Sequence, residues 1–188
     1  MKNSTKVIIA VIAIIIIAIA AISSTYNKMA VSREKVDTEM ANLDVMLQRR
    51  ADLIPNLVNS VKGATAHEKE IINSVTSARA NLLNANSVAD KAQANTELSK
   101  ALNAFMVIVE NYPTISASAN FTQLSDELAG TENRIATARR DYNEAVKSFN
   151  SIIIKFPNNM IAGMFGMEKA EYFVADEGSA EVPTVDFD

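Results

Sequence analysis

An uncharged apolar run near the N-terminus constrains this chain more than any other feature of its sequence. Residues 7–22 are only Val, Ile and Ala, and no charged side chain occurs from residue 7 to residue 27. In a helix this uncharged stretch measures roughly 32 Å, which matches the hydrocarbon core of a bilayer. Only a helix satisfies the backbone of a lone segment in lipid. The run therefore predicts a transmembrane helix over residues 7–25, with residues 1–6 as a short polar tail and Tyr26 as an interfacial anchor.

A cleaved signal peptide is the alternative interpretation of the same run. Lys2 and Lys6 precede it, and it contains the small-residue pattern Ala18-Ile19-Ala20. The run is long for a signal peptide and the pattern lies inside it, so we favour a retained anchor. Basic residues flank both ends of the span, but a short basic tail followed at once by a span is typical of a signal anchor. We therefore expect a cytoplasmic N-terminus and an extracytoplasmic body.

The composition of the chain favours helices packed on helices. Hydrophobic residues make up 48% of the chain but aromatic residues only 6%, a balance that suits helices better than alternating strands. The 22 acidic residues outnumber the 18 basic ones, which argues against a nucleic-acid partner. The absence of Cys excludes disulfides and thiolate metal sites.

Apolar residues recur at steps of three, four and seven over three long stretches, a pattern typical of amphipathic helices. The predicted arms cover about residues 25–62, 65–111 and 115–156, with a break in the middle arm near residues 84–90. The third arm has an apolar face that ends at Phe156. Pro55 lies inside the first arm and is expected to kink it or to start a new segment. Thr65 and Glu68 form a predicted capping box at the start of the second arm.

Short connections between arms imply that neighbouring arms are antiparallel. The predicted fold class is therefore all-α: an N-terminal transmembrane helix that continues into a long antiparallel bundle of three to four helices. The bundle is expected over residues 26–157.

Three runs are more specific than a helical bundle requires. The first is QRRADLIPNLV at residues 48–58, followed by VKG at 61–63 and by His67-Glu68. The second begins at Phe121 and continues with GTENRI at 130–135 and ARRDYN at 138–143; the third is FP at 156–157 with AGMFG at 162–166. In this order, and over nearly the whole chain from Tyr26, they resemble the LemA family of bacterial membrane proteins. The resemblance implies a bacterial membrane protein with an N-terminal anchor, a long antiparallel bundle and no established enzymatic activity. We expect this protein in the inner membrane.

No motif for catalysis or metal binding is complete in this sequence. His67-Glu68 begins like a zinc-protease helix, but Ile71 stands where the second His is needed and the chain has no other His. Ser32 and Lys35 match S-x-x-K without its partner motifs, and a Gly-rich phosphate loop is missing. We therefore expect no enzymatic activity, no cofactor, no metal and no small-molecule substrate.

Charged and amide side chains on the first and third arms form a predicted interhelical polar cluster. If these two arms run parallel, Asp44 lies level with Arg139, and Arg50 lies level with Asn143. We interpret the cluster as salt bridges that set the register of the helices; a ligand or ion site between helices is the alternative. Its members are Asp44, Arg49, Arg50, Asp52, Arg134, Arg139 and Asn143.

A short apolar segment follows Pro157 and begins the expected C-terminal region, residues 158–188. The segment is expected to lie at the membrane-distal end, where it caps the bundle near Gly63 or docks on a neighbouring copy or partner. The acidic last fifteen residues are expected to be loosely held. The candidate interaction residues are Ile161, Gly163, Met164, Phe165 and Gly166.

Two functions fit these features. The first is a non-enzymatic, single-pass scaffold whose copies associate in the membrane as a homo-oligomer. The second is an adaptor or sensor module that binds another membrane or envelope protein. The expected partners are thus the lipid bilayer, further copies of the chain and, in the second case, an envelope protein.

Overall fold

The computed structural model describes residues 2–61 and 69–174, with side chains from residue 5 onward, and its only regular secondary structure across them is helical. This confirms the predicted all-α class and the long apolar helix at the N-terminus. The arrangement of the helices as one bundle stays a prediction. The helices are α1 (Lys2–Val61), α2 (Lys69–Asn84), α3 (Val88–Glu110), α4 (Pro113–Ser116), α5 (Ala119–Ile153) and α6 (Asn158–Met164).

The first helix, α1, continues through Pro55 without a break. Of the two expected effects of Pro55, a new segment is therefore excluded, and a kink in α1 stays a prediction. Proline has no N–H, so the carbonyl of Ala51, four residues earlier, loses its donor within the helix. The Nε–H of Arg79 in α2 donates to that carbonyl oxygen at 2.7 Å. A side chain from another helix thus replaces the hydrogen bond that proline removes.

The predicted break in the middle arm is confirmed, and it lies between Asn84 and Val88. Ser87 caps α3: its Oγ accepts from the Asp90 N–H at 3.0 Å, and the Ser87 N–H donates back to Asp90 Oδ2 at 3.4 Å. The helices on either side, α2 and α3, pack against each other, so the chain reverses direction here. The predicted connection between the first two arms, which includes Gly63, and the capping box of Thr65 lie outside the described residues.

The chain divides into two compact units. One comprises Met1–Glu39 with Glu144–Ala170, and the other comprises Met40–Asn143 with Glu171–Asp188. We call the first the anchor unit, because it contains the apolar run, and the second the arginine unit, because it contains the buried Arg50.

Within the anchor unit, α1 and α5 run in opposite directions. The Arg33 guanidinium lies over the Phe149 ring, 5.7 Å from its centroid. The ring of Tyr26, earlier in α1, lies 4.6 Å from the ring of Phe165, later in the chain. The expectation that the first and third arms are parallel is therefore wrong. Because the middle arm folds into two helices, α5 is the fourth long helix and returns antiparallel to α1.

Most of the predicted apolar face is buried. In α1 the core includes Val36 in the anchor unit and Leu43, Leu47, Ile54 and Leu57 in the arginine unit. Phe156 is an exception, because 81% of it is exposed. The reason is that α5 ends at Ile153, so Phe156 lies in the linker to α6 rather than on the apolar face of a helix.

Candidate functional site

The apolar run forms a helical segment that no other described part of the chain covers. Every side chain from residue 5 to residue 21 is exposed, whereas Ile22 is half-buried and Met29 is fully buried. By its length and composition the helix qualifies as a membrane span, and a signal sequence at this position would share those properties. The first candidate site is therefore this bare segment, residues 5–21, together with the side chains from Ile22 onward that begin to pack against the rest of the anchor unit.

A buried arginine forms the second candidate site. Arg50 in α1 is only 5% exposed. Its Nη1 donates to Asn95 Oδ1 at 2.7 Å and to Ser99 Oγ at 3.0 Å, both in α3. The same nitrogen lies 2.8 Å from Glu132 Oε2 in α5. One guanidinium therefore connects three helices of the arginine unit.

Burial and the Glu132 carboxylate have opposite effects on the Arg50 charge. Burial removes water from the guanidinium and lowers the pKa of Arg50, and Glu132 offsets part of that effect. The Nε–H of Arg50 has no hydrogen-bond partner among the described residues. Such a partly satisfied buried charge adds little net stability, but losing its partners would be costly. This is compatible with Arg50 alone fixing the positions of α1, α3 and α5 within the arginine unit.

The predicted pairing of Asp44 with Arg139 is wrong. Both carboxylate oxygens of Asp44 accept from Lys91 Nζ, at 2.7 and 2.8 Å. The expected register of Arg50 with Asn143 is also wrong, since Arg50 meets Glu132 in α5. Both errors have one cause: α5 runs antiparallel to α1, and α3 lies beside Asp44 and Arg50.

Three of the other predicted members, Arg49, Asp52 and Arg134, lie at the surface. Asp52 accepts from Gln48 Nε2 at 2.8 Å, one turn earlier in α1. Arg49 and Arg134 are exposed and line one open groove beside Gly130. Arg139 is half-buried. The structure thus brings Arg49 and Arg134 together, but it does not join them to Arg50.

Asn143 holds a segment that the sequence pattern left undefined. Its Oδ1 accepts from the Phe173 N–H at 2.9 Å and its Nδ2 donates to the Phe173 carbonyl at 3.0 Å, in the arginine unit. In the anchor unit, Asn150 makes the same pair of bonds with Ala170, both at 2.9 Å. Two amides spaced two helical turns apart therefore bind the backbone that follows α6. The chain is ordered against α5 as far as residue 173, and residues 175–188 lie outside the described part.

The predicted interaction segment forms α6 and the turn after it. Ile161 is buried, whereas Gly163, Met164, Phe165 and Gly166 are exposed. The expected position at the membrane-distal end near Gly63 is wrong for Phe165, because its ring contacts Tyr26, directly after the apolar run. Again the cause is the antiparallel return of α5.

Sequence reasoning missed several residues that build these contacts. Asn95 lies one turn before the buried Leu98 on the apolar face of α3, so a polar residue at a core position was the available signal. For Asn150, its position two helical turns after the predicted member Asn143 was a weaker signal. Lys91, Ser99 and Glu132 showed no distinguishing pattern. Across residues 2–61 and 69–174 the structure contains no group of three side chains suited to hold a metal ion.

Comparison with known proteins identifies the family. The family model described as the LemA family matches residues 39–187, most of the chain. The chain belongs to the LemA family. The match confirms the resemblance carried by the three sequence runs. It begins at residue 39, after the apolar segment, so the interpretation of that segment rests on its own sequence and structure rather than on the family match.

Curated relatives of this LemA-family chain carry two kinds of name. Magnetosome protein MamQ 2 of Paramagnetospirillum magneticum is 29% identical over 185 residues, covering 85% of this chain and 68% of its own length. Magnetosome protein MamQ of Magnetospirillum gryphiswaldense is 26% identical, covering 79% and 64%. Protein LemA of Metamycoplasma hominis is 26% identical, covering 86% and 73%.

Proposed function

We propose that this LemA-family chain is a single-pass membrane protein that acts as a helical scaffold and self-associates in the membrane. The observation that carries the proposal is the bare segment of α1, where every described side chain up to residue 21 is exposed. Apolar side chains from Val7 to Ile19 are 49–68% exposed. In water this surface would be strongly unfavourable, so the proposal places it in lipid. The proposed location is the bacterial inner membrane.

Helix geometry supports self-association through the span. At 100° per residue, Ala10, Ala13, Ala20 and Ala21 fall on one side of α1 together with Ile17, and Ile15 falls on the opposite side. Small residues let two membrane helices approach closely, and close packing is what drives association in lipid. The proposal therefore uses the alanine side as the contact between copies. It includes no catalytic role, since no motif for one is complete.

The native mass of the full chain, solubilised in mild detergent, tests the proposal. We expect a particle of several copies of the 20.4 kDa chain. The double substitution Ala13→Leu and Ala20→Leu should shift the particle toward the monomer, because the added side chains separate the helices. The matched control Ile15→Leu, on the opposite side, should leave the mass unchanged.

A monomer in the unsubstituted chain would contradict the scaffold and favour the alternative, an adaptor or sensor for another envelope protein. A large particle that is equally disrupted by all three substitutions would contradict the alanine contact while leaving the scaffold intact.

A further inference from the structure

Five large apolar side chains stay exposed around the end of α5 and along α6. They are fully within the anchor unit, and we call them the α6 patch. Its members are Ile154, Phe156, Met160, Met164 and Phe165, which are 51–81% exposed. Single exposed apolar residues are normal on a protein surface, but five within twelve residues of sequence form a surface that requires an explanation.

The orientation of α6 is set by its inner face. Ile161 and Ala162 are buried in the anchor unit, so Met160 and Met164, one turn apart, are left on the outer face. The backbone N–H of Met167 donates to the Ala162 carbonyl at 2.9 Å and closes the end of the helix. Met160 and Met164 are thus fixed on the surface of a packed helix rather than being side chains of a loose tail.

The position of the patch relative to the span follows from the contact of Phe165 with Tyr26, at 4.6 Å between ring centroids. Tyr26 comes four residues after Ile22, where the bare segment ends, a distance of about 6 Å along a helix. Phe165 therefore lies at the level where α1 leaves the proposed hydrocarbon layer. This is the depth at which aromatic rings are favoured in membrane proteins.

We propose that the α6 patch lies in the lipid interface of the leaflet that α1 leaves at Tyr26, so that the body has a second contact with the bilayer. The proposal rests on the proposed membrane span. An apolar helix face that lies in the plane of the interface buries its side chains about 5–10 Å into the boundary between headgroups and acyl chains. Lipid is the occupant the structure favours, because the patch is continuous with the end of the span through the Tyr26–Phe165 contact.

Two lysines near the patch fit phospholipid headgroups. Lys155 lies between Ile154 and Phe156 in sequence and is exposed, and Lys28 follows Tyr26 by two residues and is exposed as well. Long cationic side chains at this depth extend toward headgroup phosphates while their apolar stems cover the acyl boundary. The bilayer interface offers apolar acyl chains beside anionic headgroups. The apolar side chains of the patch suit the first, and the two lysines suit the second.

Site-specific fluorescence quenching in vesicles tests this proposal on the full chain. The sequence has no Cys, so each introduced Cys gives a single labelling site. Met160→Cys and Met164→Cys receive an environment-sensitive fluorophore, and the vesicles contain phosphatidylethanolamine and phosphatidylglycerol with lipids spin-labelled near the headgroup. Val45→Cys is the matched control, since Val45 and Met160 are 60% and 61% exposed and Val45 lies in the other compact unit. Ile14→Cys reports on the span itself.

We expect the lipid quencher to reduce the signal at residues 160 and 164 by about twofold or more relative to residue 45. Quenching at residues 160 and 164 no stronger than at Val45 would overturn the proposal. The fluorophore at Ile14→Cys is measured separately, with lipids that carry the spin label deep in the acyl chain. If it is quenched while residues 160 and 164 are not, the membrane span stands and only the patch assignment fails. If Ile14 also resists quenching, the proposed span fails too.

A second copy of the chain is the other occupant that the experiment distinguishes. A blue-shifted fluorophore at residue 160 that lipid does not quench, and that shifts back on dilution of the protein in lipid, would mean that a copy covers the patch. That result would overturn the lipid assignment.

Discussion

The Arg50 guanidinium joins α1, α3 and α5 within the arginine unit, through Asn95, Ser99 and Glu132. Its neighbour Arg49 has the same side chain, but it is exposed and lines an open groove. Replacing either arginine by Ala removes one positive charge from the same helix. A difference in stability between the two variants therefore reports the burial of Arg50 rather than its charge.

Arg50→Ala should lower the free energy of unfolding by about 2–4 kcal/mol, because it leaves the buried Asn95 amide without its donor and opens a cavity between three helices. Arg49→Ala should change it by less than about 0.5 kcal/mol. Chemical unfolding of the detergent-solubilised chain, followed by circular dichroism, measures both. Equal effects of the two substitutions would mean that Arg50 is not the buried connection described above.

Asp44 and Lys91 form the weaker contact of the arginine unit. The Asp44 side chain is 43% exposed and that of Lys91 is 21% exposed, so water screens the pair. Asp44→Ala should therefore cost no more than about 1 kcal/mol of stability in the same assay. A loss as large as that expected for Arg50→Ala would contradict the screened geometry.

At Gly130, in contrast, a substitution by alanine is expected to raise stability rather than lower it. It lies inside α5, and a Cβ added there would meet nothing within 4 Å. Gly130→Ala should thus stabilise the folded chain by about 0.5–1 kcal/mol, because alanine restricts the unfolded backbone and favours the helix. Destabilisation would show that the groove beside Gly130 has less room than the structure gives it.

Among the elements, α2 supplies a side chain that replaces the hydrogen bond removed from α1 by Pro55. Arg79→Ala removes the donor to the Ala51 carbonyl and should cost about 1–2 kcal/mol of stability. In a Pro55→Ala background the new N–H of residue 55 can satisfy that carbonyl, so the same substitution should cost clearly less. The double-mutant cycle measures this coupling. Additive losses would mean that Arg79 stabilises the fold in another way.

The segment after α6 is bound to α5 by two asparagines acting in parallel. Asn150→Ala removes the acceptor of the Ala170 N–H, and Asn143→Ala removes the acceptor of the Phe173 N–H. Hydrogen exchange should then show lost protection at residue 170 in the first variant and at residue 173 in the second. Loss of both in either variant would contradict independent attachment.

Elements differed in how far their sequences predicted them. The long apolar helix at the N-terminus, the buried face of α1 and the break between α2 and α3 followed from uncharged length, helical periodicity and turn residues. The direction of α5 did not, because the break at Ser87 could be a bend or a reversal, and only the packing of α2 on α3 makes it a reversal. That single uncertainty misplaced Asp44, Arg139 and Phe165 together. The Arg79 contact was beyond prediction because it depends on a tertiary approach to one carbonyl.

At the scale of the whole molecule, the proposed topology places the N-terminus in the cytoplasm and the body outside. A Cys at Val107, which is 62% exposed in α3, should react with a membrane-impermeant thiol reagent in intact cells, after the outer membrane is permeabilised where one exists. A Cys at Lys2 should react only after lysis. The reverse pattern would place the body in the cytoplasm.

The proposed scaffold requires that the apolar segment is retained as a membrane anchor. Alkaline extraction of membranes from cells that express this chain, followed by intact-mass measurement of the extracted chain, measures that retention. We expect the chain to stay in the membrane pellet and to keep residues 7–25, with a mass close to 20.4 kDa. A lighter chain in the soluble fraction, beginning after the apolar run, would show a cleaved signal peptide and refute the anchor.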